Sequence, residues 1–126
     1  MKIVCLDAST LGSDVNLDVF KQFGEFKSYQ TTAANERVER LKGADVVITN
    51  KVVIDKETMG ASNLKLICIS ATGMNNVDLA HAAAKGIAVK NVAGYSTASV
   101  VQHTFACLFA LTNRIKFYDN YAQSGE

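Results

Sequence analysis

Residues 64–92 read LKLICISATGMNNVDLAHAAAKGIAVKNV, and this stretch decides the fold class. The apolar run from Leu64 to Ser70 predicts a strand, and the Ala-rich segment from Asp78 to Lys85 predicts a helix that stops at Gly86. A second strand is predicted from Ile87 to Val92. A strand, a helix and a strand in this order form a βαβ unit, in which the two strands are parallel. The stretch therefore indicates an α/β protein.

The chain before this stretch repeats the same alternation. Three more strands are predicted, from Lys2 to Asp7, Phe26 to Thr31 and Asp45 to Thr49. Helical segments are predicted between Asp14 and Gly24, from Asn35 to Lys42 and, as a short turn, from Asp55 to Met59. Nearly continuous apolar strands are typical of a parallel sheet covered on both faces. The predicted fold is a flavodoxin-like, doubly wound, five-stranded parallel sheet with strand order 2-1-3-4-5.

The last predicted helix differs from the others. It starts between Ser96 and Ser99, where Ser99 and Gln102 match a capping box, and it runs to about Phe117. Residues 100–111 are apolar on nearly all sides, which is typical of a helix buried on several sides. Because one five-stranded sheet covers only one of those sides, we expect a partner subunit or a second domain to pack on this helix.

The composition is that of a globular chain without a strongly charged partner. Its 126 residues carry 13 Lys and Arg against 12 Asp and Glu, and the net charge of +1 provides no broad attraction to nucleic acid or to an anionic membrane. The longest apolar run, from Phe105 to Leu111, is too short to span a bilayer, and no signal-peptide block precedes Asp7. We therefore expect a cytoplasmic protein with neither a nucleic-acid nor a membrane partner.

The Cys and His residues form no recognisable metal or nucleophile motif. Cys5, Cys68 and Cys107 lie far apart, each inside an apolar run, and their number and spacing fit neither a disulfide framework nor paired metal ligands. We expect buried free thiols and no metal site. His81 is expected on the surface of a helix, and His103 is expected to have a structural or orienting role.

Four polar segments fall at the carboxyl ends of the predicted strands, where ligands of open α/β sheets bind: residues 7–9, 49–51, 71–76 and 94–97. In the third segment Gly73 lies between a strand and a helix start, so backbone N–H groups there are placed to hold an anion such as a carboxylate. The alternative is a plain turn at Thr72 and Gly73, with Asn75 or Asp78 as the helix cap.

Two other classes of α/β domain, nucleotide-binding domains and phosphoacceptor receiver domains, are recognised by sequence motifs. No two glycines are closer than Gly86 and Gly94, so neither the dinucleotide-binding fingerprint nor the P-loop occurs. Asp7, Lys90 and the five-stranded order also suit a phosphoacceptor receiver domain. That site needs an Asp at the end of the third strand, where this sequence has Asn50, so the receiver interpretation is disfavoured.

The run from Ile69 to Asp78, followed by the run from Gly86 to Thr104, resembles the D-isomer-specific 2-hydroxyacid dehydrogenases, and within that family the glycerate dehydrogenase (hydroxypyruvate reductase) branch. The likeness extends back through Val47 to Lys51 and the opening strand, so it covers essentially the whole chain. It implies a two-domain enzyme that uses NAD(H) to interconvert a 2-oxo acid and a D-2-hydroxy acid. From the apolar last helix we expect the full-length protein to be a homodimer.

The resemblance also implies which part of such an enzyme these residues form. Residues 1–95 correspond to the flavodoxin-like substrate-binding domain, and residues 96–126 correspond to a long linking helix that leads to a Rossmann NAD-binding domain. The family's catalytic Arg, Glu and His follow the Rossmann fingerprint, which this sequence does not contain. We therefore expect the amino-terminal fragment of an NAD-dependent dehydrogenase, inactive by itself.

Matched positions imply roles for individual residues of the first domain. The backbone amides of Thr72 and Gly73 match the loop that binds the substrate carboxylate, which agrees with the anion site inferred from the residues alone. Asn50 and Lys51 match a second substrate-binding loop that faces the same cleft.

Later positions are implied to face the catalytic centre and the cofactor. Ser96 matches a position that in several relatives is an Asn lining the active site, and Val100 and Thr104 match helix residues that approach the nicotinamide end of NAD. Ala93 stands where the family commonly has Pro. The alternative is a stand-alone flavodoxin-like domain that binds a carboxylate or a partner without catalysis. Such a domain would have to bury residues 100–111 in a homodimer, whereas a fragment would expose them.

Overall fold

The chain folds around a five-stranded parallel sheet in the order β2-β1-β3-β4-β5, in a computed structural model that describes residues 1–125. The strands are β1 (Lys2–Cys5), β2 (Glu25–Ser28), β3 (Val46–Thr49), β4 (Leu66–Ile69) and β5 (Ala88–Asn91). This order confirms the predicted flavodoxin-like topology. All five predicted strands are present and each is shorter than predicted, and β2 begins at Glu25, one residue before its predicted start.

The α-helices are α1 (Arg37–Leu41), α2 (Lys56–Gly60), α3 (Leu79–Ala84), α4 (Thr97–Thr112) and α5 (Ile115–Ser124), and 3-10 turns cover Ala8–Thr10, Leu17–Phe23 and Ala34–Glu36. Contacts divide the chain into two compact units. The first, Met1–Ala93, contains the sheet, and the second begins at Gly94 and contains α4 and α5. No helix in residues 1–125 has the length and apolar character of a membrane span.

One face of the sheet holds the larger hydrophobic core. Val4, Val47 and Ile67 are neighbours in the strand register, and all three are fully buried. Residues from α1, α2 and α3 complete this core, among them Leu41, Met59 and Ala82. Burial of each such Val, Leu or Ile side chain stabilises the fold by about 1.5–3 kcal/mol. Packing on this face therefore holds the strands in position, including the strand ends at which the candidate site lies.

The opposite face is covered by a 3-10 segment rather than the α-helix that the sequence predicts between Asp14 and Gly24. This segment, Leu17–Phe23, begins after Asn16, whose side chain accepts a hydrogen bond from the Asp18 N–H at 2.9 Å. Phe20 packs against Phe26 of β2 with ring centroids 5.5 Å apart. A 3-10 helix repeats every three residues, which matches the spacing of its half-buried Leu17 and Phe20.

The last helix corrects two predictions. It ends at Thr112 instead of continuing to about Phe117, because Arg114 adopts a left-handed backbone conformation (φ 49°) and α5 starts anew at Ile115. The capping box is also wrong, since Ser96 is the N-cap and Ser99 lies inside α4.

Burial in the second unit also differs from expectation. The large apolar residues of α4 are exposed, from 48% at Leu108 to 78% at Leu111, so within residues 1–125 this helix is not buried on several sides as predicted. Cys107, on the same helix, is exposed, and the prediction that it is buried is wrong. Cys5 is buried as expected and Cys68 is half-buried, and burial raises the pKa of both thiols.

Candidate functional site

The candidate site lies where three adjacent strands end. Because β1, β3 and β4 are neighbours and parallel, the segments that follow them meet at one edge of the sheet. These segments are the turn at Asp7, the loop of residues 50–52 and the loop of residues 71–76. Ligands of this fold class bind at this edge.

Asp7 organises the loop after β3. Its carboxylate accepts hydrogen bonds from three consecutive backbone N–H groups, at 3.0 Å from Asn50, 2.7 Å from Lys51 and 3.3 Å from Val52. The Thr49 hydroxyl donates to the same carboxylate at 3.2 Å. We name residues 50–52 the 50–52 loop.

The loop after β4 keeps backbone donors free. Within residues 1–125, no acceptor takes a hydrogen bond from the backbone N–H of Thr72 or Gly73. The Thr72 hydroxyl donates to the Val92 carbonyl at 3.1 Å, and the Asn91 side chain donates to the Thr72 carbonyl at 2.7 Å. Consecutive free N–H groups in a fixed loop are a common way of binding an anion.

A small polar cleft separates these two loops. It has a volume of about 160 Å³ and is lined by Asn50, Lys51, Ala71, Gly73, Asn75 and Asn76; we name it the polar cleft. It is smaller than the ~300–1,000 Å³ of pockets for drug-sized ligands, which suits an acid of a few carbons. Lys51 is its one charged lining residue, so the cleft favours an anion.

The structure thus brings together three of the four predicted substrate-binding residues. Asn50, Lys51 and Gly73 line the polar cleft, whereas Thr72 directs its hydroxyl to Val92 and offers only its backbone N–H. The cleft at the amino ends of the strands, lined in part by Asp45 and Lys65, is larger but lies at the edge of the sheet opposite to the ligand-binding one.

Asn76 joins the two loops and was not singled out by the sequence. Its side-chain amide donates to the carbonyls of Asn50 at 3.4 Å and Val52 at 3.0 Å. Next to it, an isolated β-bridge pairs Ile54 with Val77. The loops on the two sides of the polar cleft are therefore tied together by side-chain and backbone hydrogen bonds.

The expected helix end behind Gly73 is not present. Helix α3 begins only at Leu79, and the Asp78 side chain accepts the His81 N–H at 2.9 Å as its N-cap. The capping role weighed for Asp78 is thus confirmed. The groups at this edge that could interact with an anion are the free N–H groups of the loop and the Lys51 ammonium, not a helix terminus.

The second unit carries the residues implied to face the cofactor. Ser96 is the N-cap of α4 but its side chain makes no capping bond, and the Thr104 hydroxyl donates to the Val100 carbonyl at 2.8 Å. His103 Nε2 lies 3.6 Å from Cys107 Sγ on the same helix. In residues 1–125, no three His, Cys, Asp or Glu residues are grouped as a metal site would require.

A sequence comparison shows the family to which the chain belongs. Residues 4–123 match the catalytic domain of the D-isomer specific 2-hydroxyacid dehydrogenases. The chain belongs to this family. Among relatives in the dehydrogenase family, a putative 2-hydroxyacid dehydrogenase of Haemophilus influenzae is 42% identical over 91% of this chain, and the glycerate dehydrogenase of Methylorubrum extorquens is 38% identical over 99%. The hydroxypyruvate reductase of Blautia hydrogenotrophica is 33% identical over the whole chain.

These relatives are longer than the chain. It spans 37%, 40% and 41% of their respective lengths. Solved structures that are similar to this chain also come from longer proteins. An acyclic imino acid reductase in complex with NADPH and D-Arg is similar with a TM-score of 0.81 and 26% identity, over all of this chain and 42% of that one. An NAD-dependent formate dehydrogenase from Staphylococcus aureus, in complex with NAD, is similar with a TM-score of 0.74 and 26% identity, over all of this chain and 41% of that one.

Proposed function

We propose that this chain is the amino-terminal, substrate-binding part of an oxidoreductase that transfers a hydride between NAD(H) and a D-2-hydroxy acid/2-oxo acid pair. The pair we infer is glycerate and hydroxypyruvate, or a glyoxylate-like acid. Membership of the dehydrogenase family supports the reaction class, and relatives named glycerate dehydrogenase and hydroxypyruvate reductase support the substrate class. The polar cleft, with Lys51 and the free N–H of Gly73, is the observation that carries the proposal.

The chain's own task in this reaction is to bind and orient the acid. The Lys51 ammonium and the N–H groups of Thr72 and Gly73 bind the substrate carboxylate by charge-assisted hydrogen bonds. In a 2-oxo acid the reacting carbon is bonded directly to the carboxylate carbon. Fixing the carboxylate therefore restricts the position of the reacting carbon, which is how binding energy lowers the entropic cost of reaction.

The residues present fit one end of NAD. When bound, NAD(H) supplies the hydride acceptor or donor. Val100 is exposed, and the Thr104 hydroxyl already donates to the Val100 carbonyl, so this part of α4 offers aliphatic groups suited to contact with a nicotinamide ring. The pyrophosphate of the cofactor needs a Gly-rich fingerprint that this sequence does not contain. We therefore assign most of the cofactor site to another domain.

Hydride transfer to a ketone also needs a proton donor. The one titratable side chain that lines the polar cleft is Lys51, which the proposal assigns to the substrate carboxylate. We therefore infer that the 126 residues bind the acid but do not turn it over without further residues of the enzyme.

The first test measures turnover and binding separately. The purified 13.6 kDa chain, checked by intact mass, is mixed with NADH and hydroxypyruvate, then glyoxylate, and NADH absorbance is followed. We expect no oxidation of NADH. In a parallel NMR titration, we expect hydroxypyruvate to shift the amide resonances of Thr72 and Gly73, while the uncharged amide of hydroxypyruvate does not.

A chimera tests the reaction itself. The 126 residues of this chain replace the matching segment of the Methylorubrum extorquens glycerate dehydrogenase. We expect the chimera to catalyse NADH-dependent reduction of hydroxypyruvate. In the isolated chain, Lys51→Met should raise the dissociation constant of hydroxypyruvate about tenfold, which corresponds to the loss of about 1.4 kcal/mol. Lys65→Met, on an exposed lysine at the opposite edge of the sheet, is the matched control and should change nothing.

Two results would contradict the proposal. A folded chain whose loop amides do not respond to hydroxypyruvate has no carboxylate site at the polar cleft. Turnover by the isolated chain would place the catalytic groups inside these residues, and His103 would then be the first residue to replace. Binding by the chain together with an inactive, folded chimera would favour a carboxylate-binding domain without catalysis.

A further inference from the structure

Asp7 is a buried carboxylate without a charged partner. It is 5% exposed, and the ion pairs among residues 1–125 do not include it. Burying a carboxylate is costly unless hydrogen-bond donors satisfy its oxygens. Here the donors are three consecutive N–H groups and one hydroxyl, all supplied by the chain at the end of β3. Asp7 is therefore matched to one particular conformation of the 50–52 loop.

The loop is held from both sides of its backbone. Its N–H groups are engaged by Asp7, while the carbonyls of Asn50 and Val52 accept hydrogen bonds from the Asn76 side chain. The N–H groups of the 50–52 loop are consequently not available to a substrate. The loop lines the polar cleft with Asn50 and with Lys51, whose exposed side chain carries the only charge among the lining residues.

Asp7 does not reach the substrate itself. It is not among the residues that line the polar cleft, and its oxygens are already occupied by donors of residues 49–52. Its negative charge would moreover repel an anion. Any effect of Asp7 on binding must therefore pass through the 50–52 loop.

We propose that Asp7 is a positioning residue for substrate binding, whose carboxylate fixes the 50–52 loop so that the Lys51 ammonium is held at the polar cleft. The inference rests on the function proposed above. It requires that replacing Asp7 weakens binding of a 2-oxo acid only as long as Lys51 is present.

The primary variant is Asp7→Asn. The amide keeps the size of the side chain but replaces one oxygen with an NH₂ group, which cannot accept hydrogen bonds from the loop. We expect the dissociation constant of hydroxypyruvate, measured by NMR titration of the 126-residue chain, to rise about tenfold, equivalent to about 1.4 kcal/mol. The amide protons of residues 50–52 should exchange faster, relative to those of β4.

A double-mutant cycle separates positioning from general destabilisation. The double variant Asp7→Asn, Lys51→Met should bind hydroxypyruvate no more weakly than Lys51→Met alone. The reason is that substitutions at residues that act as a unit do not have additive effects on the binding free energy. Ile67→Val is the matched control. Its side chain is fully buried in the core of the sheet, so it should lower stability while leaving the dissociation constant unchanged.

Thr49→Val tests the same idea in a variant that keeps the core volume. It removes the hydroxyl that donates to Asp7 and that accepts the Val52 N–H at 3.1 Å. We expect a smaller rise in the dissociation constant, again absent when Lys51 is replaced. This variant decides the question if Asp7→Asn does not fold.

The outcomes distinguish the inference from the proposed function. If the wild-type chain does not bind hydroxypyruvate, the proposed function fails and the inference fails with it. If the wild-type chain binds and the Asp7 or Thr49 variants bind equally well, the inference alone is overturned. Effects of Asp7→Asn and Lys51→Met that simply add would likewise show that Asp7 does not act through Lys51.

Discussion

Asp55 shows how one carboxylate begins a short helix. Its Oδ1 accepts hydrogen bonds from the Thr58 hydroxyl at 2.7 Å and the Thr58 N–H at 3.0 Å, and its Oδ2 pairs with Arg37 at 2.9 Å. These bonds, above all those from Thr58, hold the pKa of Asp55 at about 2, below its ordinary value of 3.8. The ionised carboxylate is thus part of the folded structure at α2.

Stability should therefore depend on pH through Asp55. Since its pKa is lower in the folded chain, its contribution is complete above about pH 4 and is lost as the pH falls toward 2. Asp55→Asn should lower the free energy of unfolding at pH 7 slightly, because the carboxylate is partly exposed, and should flatten the decline between about pH 4 and 2. Urea unfolding followed by circular dichroism at several pH values measures the free energy of unfolding at pH 7 and its decline at low pH. Asp14→Asn, at an exposed position, is the control, and identical curves for Asp55→Asn and the wild type would contradict the expectation.

Among the elements, the strands were easier to predict from the sequence than the helices. A buried parallel strand is a short apolar run, and this signal is local to runs such as Leu64 to Ser70. The segment at Leu17–Phe23 has apolar residues at helical and at 3-10 spacing alike, so the sequence pattern does not distinguish the two forms. In the structure the 3-10 form places Phe20 against Phe26 of β2. The end of α4 depends on the left-handed turn at Arg114, for which the sequence offers neither Gly nor Pro.

The candidate site was predictable where position along a strand defines it. Asn50, Lys51 and Gly73 were found because they follow strands whose carboxyl ends share an edge. The roles of Asp7 and Asn76 were not found. Their contacts join residues 43 and 26 positions apart in the chain, and no local pattern reports such contacts.

The connection into β2 gives a second prediction about stability. Gly24 ends the 3-10 segment with φ 146°, and a Cβ there would lie 2.1 Å from the Met1 carbonyl oxygen. Gly24→Ala should therefore destabilise the chain by about 1–3 kcal/mol, because φ is unfavourable and backbone must move. Gly60→Ala is the matched control. It lies in α2 with nothing within 4 Å of the added Cβ, so it should be neutral or stabilising. Urea unfolding of both variants measures the difference, and equal effects would contradict the close approach at Gly24.

The molecule as a whole distributes its apolar surface unequally. Both hydrophobic cores of the sheet consist of residues up to Val89, and none comes from α4. Helix α4 exposes a series of large apolar side chains, namely Val100, Val101, Phe105, Leu108, Phe109 and Leu111. An apolar surface of this kind is unfavourable in water, so in the isolated chain it should be relieved by association.

We therefore expect the purified 126-residue chain to bind an apolar dye and to associate as its concentration rises, measured by dye fluorescence and sedimentation. Phe105→Lys combined with Leu111→Lys should weaken both effects and leave the urea midpoint of the sheet unchanged, since neither residue belongs to its cores. Cys107 provides a second readout on α4. Its exposed thiol should react with a maleimide at low concentration and become protected on association, whereas Cys5 is buried, has a pKa raised by that burial and should stay unreactive throughout. A monomer at every concentration, without dye binding and with Cys107 equally reactive throughout, would contradict this expectation.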